Sequence, residues 1–204
     1  MGDRPTLDFW YEFASTYSYL SAMRIEALAA EAGAEVRWRP FLLGPILAAQ
    51  GWTTSPFNAF PVKGRHMWRD MQREAEVLGL PPIHRPDPFP QNALLPARIA
   101  ILGSEESWGP AFTKAVYAAE FADGRSISDV AVITDLLERL GLDPAAILAA
   151  AATEGNKQRL KDATDEARSL GVFGAPTFIA HDGELFWGND RLERALGWGA
   201  GRRR

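Results

Sequence analysis

The chain has no cysteine among its 204 residues. That absence excludes a CxxC redox pair, a cysteine-ligated zinc or iron–sulfur site, a cysteine nucleophile and structural disulfides. Long apolar runs are missing too: none approaches the roughly 18 residues needed to span a bilayer. Histidine is scarce, and His66, His84 and His181 have no metal-ligand spacing and no HExxH, so no metal is expected. Excess positive charge is also lacking. The formal charge is −4, and without Arg202, Arg203 and Arg204, read as a solvated end, the balance is −7. That argues against a nucleic-acid surface of any size. The segment Met1-Gly2-Asp3-Arg4-Pro5 has no apolar signal region, and Asp3 and Pro5 are poor company for the bare myristoylation spacing of Gly2 and Thr6. The expectation is a soluble cytoplasmic protein without membrane attachment.

What is present is a globular composition, 47% hydrophobic and 24% charged. A chain of this length can bury a core without staples. Leu7–Phe13 (LDFWYEF) reads as a strand, bounded by Pro5 and Ser15. Thr16–Glu31 carries Leu20, Met23, Ala27 and Ala30 at helical spacing and stops at Gly33. Glu35–Pro40 alternates Val36 and Trp38 with charged residues, which is strand periodicity. A helix between two strands implies a parallel pair.

From Phe41 the pattern changes. Phe41–Val62 reads as a long proline- and glycine-containing loop with a short helix at Pro45–Gln50. Gly64–Leu78 is helical, and the five prolines of Gly79–Gln91 forbid regular structure. Ala93–Leu102, Gly109–Phe121, Ser128–Leu140 and Pro144–Ala152 read as successive helices, followed by Thr153–Leu170. Pro176–Ala180 and Glu184–Trp187 are short strands joined by the Asp182-Gly183 turn, and Asp190–Leu196 is a last helix. Strands therefore cluster at the two ends. The fold class expected is α/β: a four-stranded, thioredoxin-like sheet from residues 1–42 and 154–204, with residues 43–153 inserted as an all-helical domain.

Ser15 falls where a strand ends and a helix begins, where free N–H groups and the helix dipole stabilise an anion. Its hydroxyl can cap the helix, or donate to a bound thiolate and lower that thiol's pKa. Ser18 is a second candidate with the same two readings. Gly174-Ala175-Pro176-Thr177 opens a strand with proline, tolerated because the first residue need not donate to the ladder. A cis Ala175–Pro176 bond would aim the Ala175 N–H and C=O at a peptide-like ligand. Trp187-Gly188-Asn189-Asp190 opens the last helix. Asp190 and Glu193 have capping-box spacing, and the same helix start could receive a carboxylate, or Asp190 an ammonium. Asn58, Lys63 and Asn92 lie in proline-rich segments whose stiffness suits a binding wall, and each taken singly also reads as an ordinary surface residue.

Taken together, Asp8–Leu20 (DFWYEFASTYSYL), Gly171–Phe178 (GVFGAPTF) and Phe186–Leu192 (FWGNDRL) resemble the 2-hydroxychromene-2-carboxylate isomerases, which belong with the kappa-class glutathione transferases in the DsbA-like branch of thioredoxin folds. Pro61–Met71 (PVKGRHMWRDM) and Phe89–Leu95 (FPQNALL) resemble that family's helical segments. The resemblance implies a dimeric, glutathione-dependent enzyme of aromatic, naphthalene-type catabolism. It implies that Ser15 contacts the glutathione sulfur, that Ala175 precedes a cis Pro176 and binds the cysteinyl part, and that Trp187, Gly188, Asn189 and Asp190 hold the γ-glutamyl end. Lys63 would meet the tripeptide's other carboxylate, and Asn58 and Asn92 the small aromatic substrate. In the family's reaction the thiolate adds to the conjugated double bond of a ring-opened benzylidenepyruvate, the resulting single bond rotates, and elimination returns the thiolate.

One departure stands out: the family has Ser-Pro after the first strand, whereas this chain has Ser15-Thr16. Two rival functions share the same residues. One is a kappa-like transferase that conjugates electrophiles. The other is a non-catalytic thioredoxin-like module that binds a peptide beside Pro176. The rings of Trp52, Phe57, Trp68 and Phe89 suit any aromatic substrate, and Arg37, Arg39, Arg65 and Arg98 are the cations to weigh for its carboxylate.

Overall fold

The computed structural model describes residues 4–199. The amino-terminal Gly2 and the arginine run 202–204 lie outside the described residues. Strand β1 (Thr6–Tyr11) leads into helix α1 (Thr16–Ala32) and strand β2 (Glu35–Pro40). Seven helices follow: α2 (Leu43–Ala49), α3 (Pro56–Ala59), α4 (Pro61–Val77), α5 (Leu94–Gly103), α6 (Gly109–Phe121), α7 (Val130–Arg139) and α8 (Pro144–Ala152). Helix α9 (Glu154–Ser169), strands β3 (Thr177–Ala180) and β4 (Leu185–Trp187), a 3₁₀ turn (Asn189–Arg191) and helix α10 (Leu192–Gly199) complete the chain.

The four strands form one mixed sheet in the order β2-β1-β3-β4. β1 runs parallel to β2, in register from Thr6 opposite Glu35, and antiparallel to β3, with Phe9 opposite Phe178. β3 and β4 form the expected hairpin, with Thr177 opposite Trp187. This is the thioredoxin-like sheet with a helical segment between its halves.

Alternation along β1 assigns its side chains to two faces. Leu7, Phe9, Tyr11 and Phe13 enter the main core with α1, the inserted helices and α10. Trp10 faces the other way, into a smaller cluster with Phe41, Ile46, Ala167, Val172 and Ile179, so that α2 and α9 cover that side. The inserted helices touch the end of β1 directly. Tyr11 Oη and Thr113 Oγ1 lie 2.8 Å apart, and Tyr117 Oη donates to Glu12 O at 2.9 Å.

The stretch expected as a long loop is more ordered than its composition suggested. Pro56 and Pro61 each take the first turn of a helix, so α3 forms and α4 starts before Gly64. The missing proline N–H is harmless there, because the first helical N–H groups have no intrahelical acceptor. The last helix differs as well. Residues 189–191 form a 3₁₀ turn and α10 begins at Leu192. The expected capping box between Asp190 and Glu193 is absent, because Glu193 pairs with Arg24 of α1 and Asp190 with Arg191.

Candidate functional site

Four segments converge at one end of the central strands: the β1–α1 junction, the residues before β3, the residues after β4, and one face of α4. Ser15 is the N-cap of α1 and accepts from Ser18 N at 3.3 Å. Its hydroxyl proton goes elsewhere, to Ala175 O at 2.8 Å. Both readings of Ser15 therefore have a geometric basis: it caps the helix and it touches the segment before β3. The Ala175–Pro176 bond is cis. Pro176 O accepts from Gly188 N at 3.0 Å, so the loops before β3 and after β4 are tied together. Thr177 Oγ1 donates to Gly174 O at 2.8 Å and closes the same turn.

A cavity of about 350 Å³ opens between these segments, lined by Tyr17, Asp70, Glu74, Ala175, Pro176 and Trp187–Asp190. That volume is within the usual range for small-ligand sites, roughly 300–1,000 Å³. Ser15 lies one hydrogen bond behind its wall. Trp187 forms an exposed lip against Phe173, with ring centroids 5.0 Å apart. Gly174 lets that indole sit close, since a Cβ there would lie 2.4 Å from Trp187 Nε1. Asn189 contributes backbone rather than a mobile amide. Its Oδ1 accepts from Ser21 Oγ at 3.0 Å and from Arg24 Nε at 3.2 Å, and its carbonyl from Arg24 at 2.8 Å.

Three lining residues escaped the sequence reading. Tyr17, in the first turn of α1, donates to Asp70 Oδ2 at 2.9 Å. Asp70 and Glu74 are one turn apart on α4, which places both carboxylates on the face toward Pro176. The signal was the i, i+4 acid pair in MWRDMQRE, hidden beneath the stronger apolar stripe of Met67, Met71 and Ala75. Partial burial works against the Asp70 charge, but hydrogen bonds from Arg73 and Tyr17 outweigh it and hold its carboxyl below the ordinary range. Burial first, then the bond to Asp70 and its charge, push the Tyr17 hydroxyl well up, so it stays a proton donor at neutral pH.

The other expected residues lie outside this cavity. Lys63, in the first turn of α4, carries its ammonium 5.9 Å from the Phe60 ring centroid. Asn58 Nδ2 donates to Phe89 O at 2.9 Å, and Asn92 Oδ1 accepts from Leu94 N at 3.0 Å. Arg37 is engaged by Asp8 across the β1–β2 pair, and Arg39 by Glu166 and the Trp10 ring.

These residues are compatible with a peptide-like thiol such as glutathione. The first N–H groups of α1 lack intrahelical acceptors and would stabilise negative charge on a sulfur near Ser15. Asp70, Glu74 and Asp190 suit an ammonium group. No Lys or Arg lines the cavity, so a carboxylate held within it falls to main-chain N–H groups. No three His, Asp or Glu side chains are grouped to hold a metal among the described residues.

The chain is similar along most of its length to several known proteins. The chain is 29% identical to a 2-hydroxychromene-2-carboxylate isomerase of Pseudomonas putida, over 94% of each chain. It is 26% identical to human glutathione S-transferase kappa 1, over 95% of this chain and 90% of that one. A solved 2-hydroxychromene-2-carboxylate isomerase superposes with a TM-score of 0.86 at 27% identity, over 97% of this chain and 95% of that one. A probable DsbA oxidoreductase from Streptomyces coelicolor shares the fold at 21% identity, with a TM-score of 0.76 over 98% of this chain. The family described as DSBA-like thioredoxin domain matches residues 6–197, and the chain belongs to that family, as a member similar to the 2-hydroxychromene-2-carboxylate isomerases.

Proposed function

We propose that this protein is a glutathione-dependent cis–trans isomerase of 2-hydroxychromene-2-carboxylate or hydroxybenzylidenepyruvate type, acting in aromatic catabolism as a homodimer. One observation carries the reading. In a chain without cysteine, a helix-capping hydroxyl, Ser15, bonds Ala175 O at 2.8 Å beside a cavity that fits a small peptide-like ligand. When bound, glutathione would supply the sulfur for reversible addition to the substrate's double bond, with no net redox change.

The chain's own residues prepare that sulfur. Ser15 turns its one proton from Ala175 O toward the ligand, and the start of α1 adds its dipole. Ala175 and Gly188 offer main-chain groups to the tripeptide. Asp70, Glu74 and Asp190 face its ammonium, and Tyr17 keeps Asp70 oriented. Lys63, outside the cavity lining, meets the tripeptide's second carboxylate where the ligand extends beyond it. Asn58 presents its amide oxygen, and Asn92 its amide nitrogen, to the aromatic substrate. Thr16, in place of the usual proline, leaves the cap intact, since Ser15 still accepts from Ser18 N.

The test is turnover of the ring-opened substrate with substoichiometric glutathione. The expected result is many product molecules per glutathione and full recovery of the thiol. Consumption of one glutathione per product would establish a transferase instead, the reading favoured by the likeness to the kappa 1 enzyme. No calorimetric binding at millimolar glutathione would leave a binding module.

A further inference from the structure

Helix α4 separates two cavities of opposite character. Its Asp70 and Glu74 face the cavity beside Pro176. On the other side, Arg65, Trp68, Arg69 and Gln72, with Ile83 and Arg85 from the proline-rich segment, line a second cavity of about 320 Å³. The two faces follow from helical spacing, since residues 65, 68, 69 and 72 share one side of the helix and 70 and 74 another.

The second cavity contains three guanidinium groups and no carboxylate. None of the three pairs with Asp or Glu among the described residues. Arg69 donates only to Gln72 Oε1, at 3.3 Å, and Arg85 sits over the Trp68 ring, 5.7 Å from its centroid. Trp68 is held edge-on by Phe89, with centroids 4.9 Å apart, so its orientation is fixed by packing. Three like charges gathered without a counterion on a chain of net charge −4 are mutually repulsive. An anion between them relieves that repulsion, and guanidinium forks match a carboxylate's geometry. The half-buried Trp68 and Ile83 supply a flat apolar floor, which a bare inorganic anion would leave in contact with water.

We infer that this cavity is a binding site for a planar aromatic carboxylate, separate from the cavity beside Pro176, with the ring on Trp68 and Ile83 and the carboxylate between Arg65, Arg69 and Arg85. The site does not depend on the isomerase reading. It occupies the outer side of α4 and is tested by binding alone.

The experiment is calorimetric titration of the full chain with 2-naphthoate in the presence of saturating glutathione. The neutral isostere 2-naphthalenemethanol and inorganic phosphate serve as controls. Expected is one binding event that survives glutathione, weakens several-fold between 50 and 300 mM salt, and is at least tenfold weaker in Arg65→Ser with Arg69→Ser. Both arginines are exposed, and an unchanged melting temperature confirms that this variant folds. Trp68→Phe should retain binding at reduced affinity, with loss of the Trp68 fluorescence quench. Four results would overturn the site: no binding below 5 mM, equal binding of the neutral isostere, equal binding of phosphate, or binding that the arginine variant leaves intact. Binding of a short single-stranded DNA or acidic peptide without 2-naphthoate would reassign the cavity to a macromolecular partner and overturn the proposal likewise.

Discussion

At the residue scale, Ser15 has one proton and two acceptor sites, and the structure uses both functions. Replacing it with alanine removes the helix cap and the bond to Ala175 O. The cap alone is worth about 1 kcal/mol, which is about 2–4 °C in melting temperature for a chain of this size. Ser15→Ala should therefore melt a few degrees lower, and the thiolate absorbance of bound glutathione should fall. Isomerisation should slow by roughly tenfold or more, since the charge-assisted hydrogen bond proposed from Ser15 to the thiolate would be lost. A variant that loses only stability, with absorbance and rate intact, would reduce Ser15 to a cap.

A second residue-scale prediction concerns the acids behind this junction. Burial raises the Glu12 carboxyl from its ordinary 4.5 to about 7, despite a bond from the Ala14 backbone. Burial, then the charge of Glu12, hold the Glu120 carboxyl well above its ordinary value, and neither of its oxygens has a hydrogen-bond partner. Between 4.5 and about 7 the folded state thus binds protons that the unfolded chain has released. This contribution to stability is complete below 4.5 and is lost as pH rises through about 7. Thermal melts from pH 5 to pH 8 should show a falling midpoint. Glu120→Gln should flatten that slope and melt a few degrees higher at pH 8, because folding then no longer has to bury a carboxyl that is ionised in the unfolded chain. Identical slopes in the two proteins would remove these carboxyls from the explanation.

At the scale of elements, the cavity wall depends on two turns flanking the β3–β4 hairpin. Gly188 has φ of 108°, and a Cβ there would meet Asp190 Oδ1 at 2.7 Å. Gly188→Ala should cost about 1–3 kcal/mol, the range for a non-glycine residue forced into a sparsely populated conformation. Gly174→Ala acts differently. Its Cβ would displace the indole of Trp187, which is 53% exposed and can swing outward. Melting should change little while glutathione affinity drops, and paired calorimetry and thermal melts separate the two variants. The inserted helices illustrate how local sequence can mislead at this scale. Pro56 and Pro61 looked like loop punctuation, yet each occupies a first turn, where proline starts a helix as readily as it breaks one.

At the scale of the whole molecule, one hydrophobic cluster runs from Phe9 and Tyr11 of β1 through Met67, Phe112, Tyr117 and Leu137 of the inserted helices to Leu192 and Leu196 of α10. The division expected from the sequence, residues 1–42 with 154–204 and an insertion of 43–153, concerns the order of elements and not independent folding. The shared core leads us to expect that neither part folds alone. A chain joining 1–42 directly to 154–204 should show no cooperative unfolding and should bind a hydrophobic dye, because Tyr11, Phe13 and Tyr19 would lose their cover. A sharp melting transition in that chain would refute the shared-core account.

Strand and helix periodicity, together with Gly33 and the Asp182-Gly183 turn, made the order of elements and the sheet at the two ends readable from the chain itself. Composition excluded thiol chemistry by the protein's own side chains, and the Ser15 and Ala175-Pro176 segments could be singled out because their residue types are local signals. The partners of those residues could not be read. Asp70 and Glu74 face Pro176 across more than a hundred positions of chain, and the direction in which a half-buried acid points depends on helix packing rather than on its neighbours in sequence. The same holds for Asn189, whose amide is taken up by Ser21 and Arg24 of α1, and for Asn58, Lys63 and Asn92, which the fold sets outside the cavity. Hydrophobic pattern fixes which face of an element is buried, because burial is non-directional and strong. Only the tertiary structure decides which polar groups meet, because each such contact is directional, short-ranged and worth little until packing has brought its partners together.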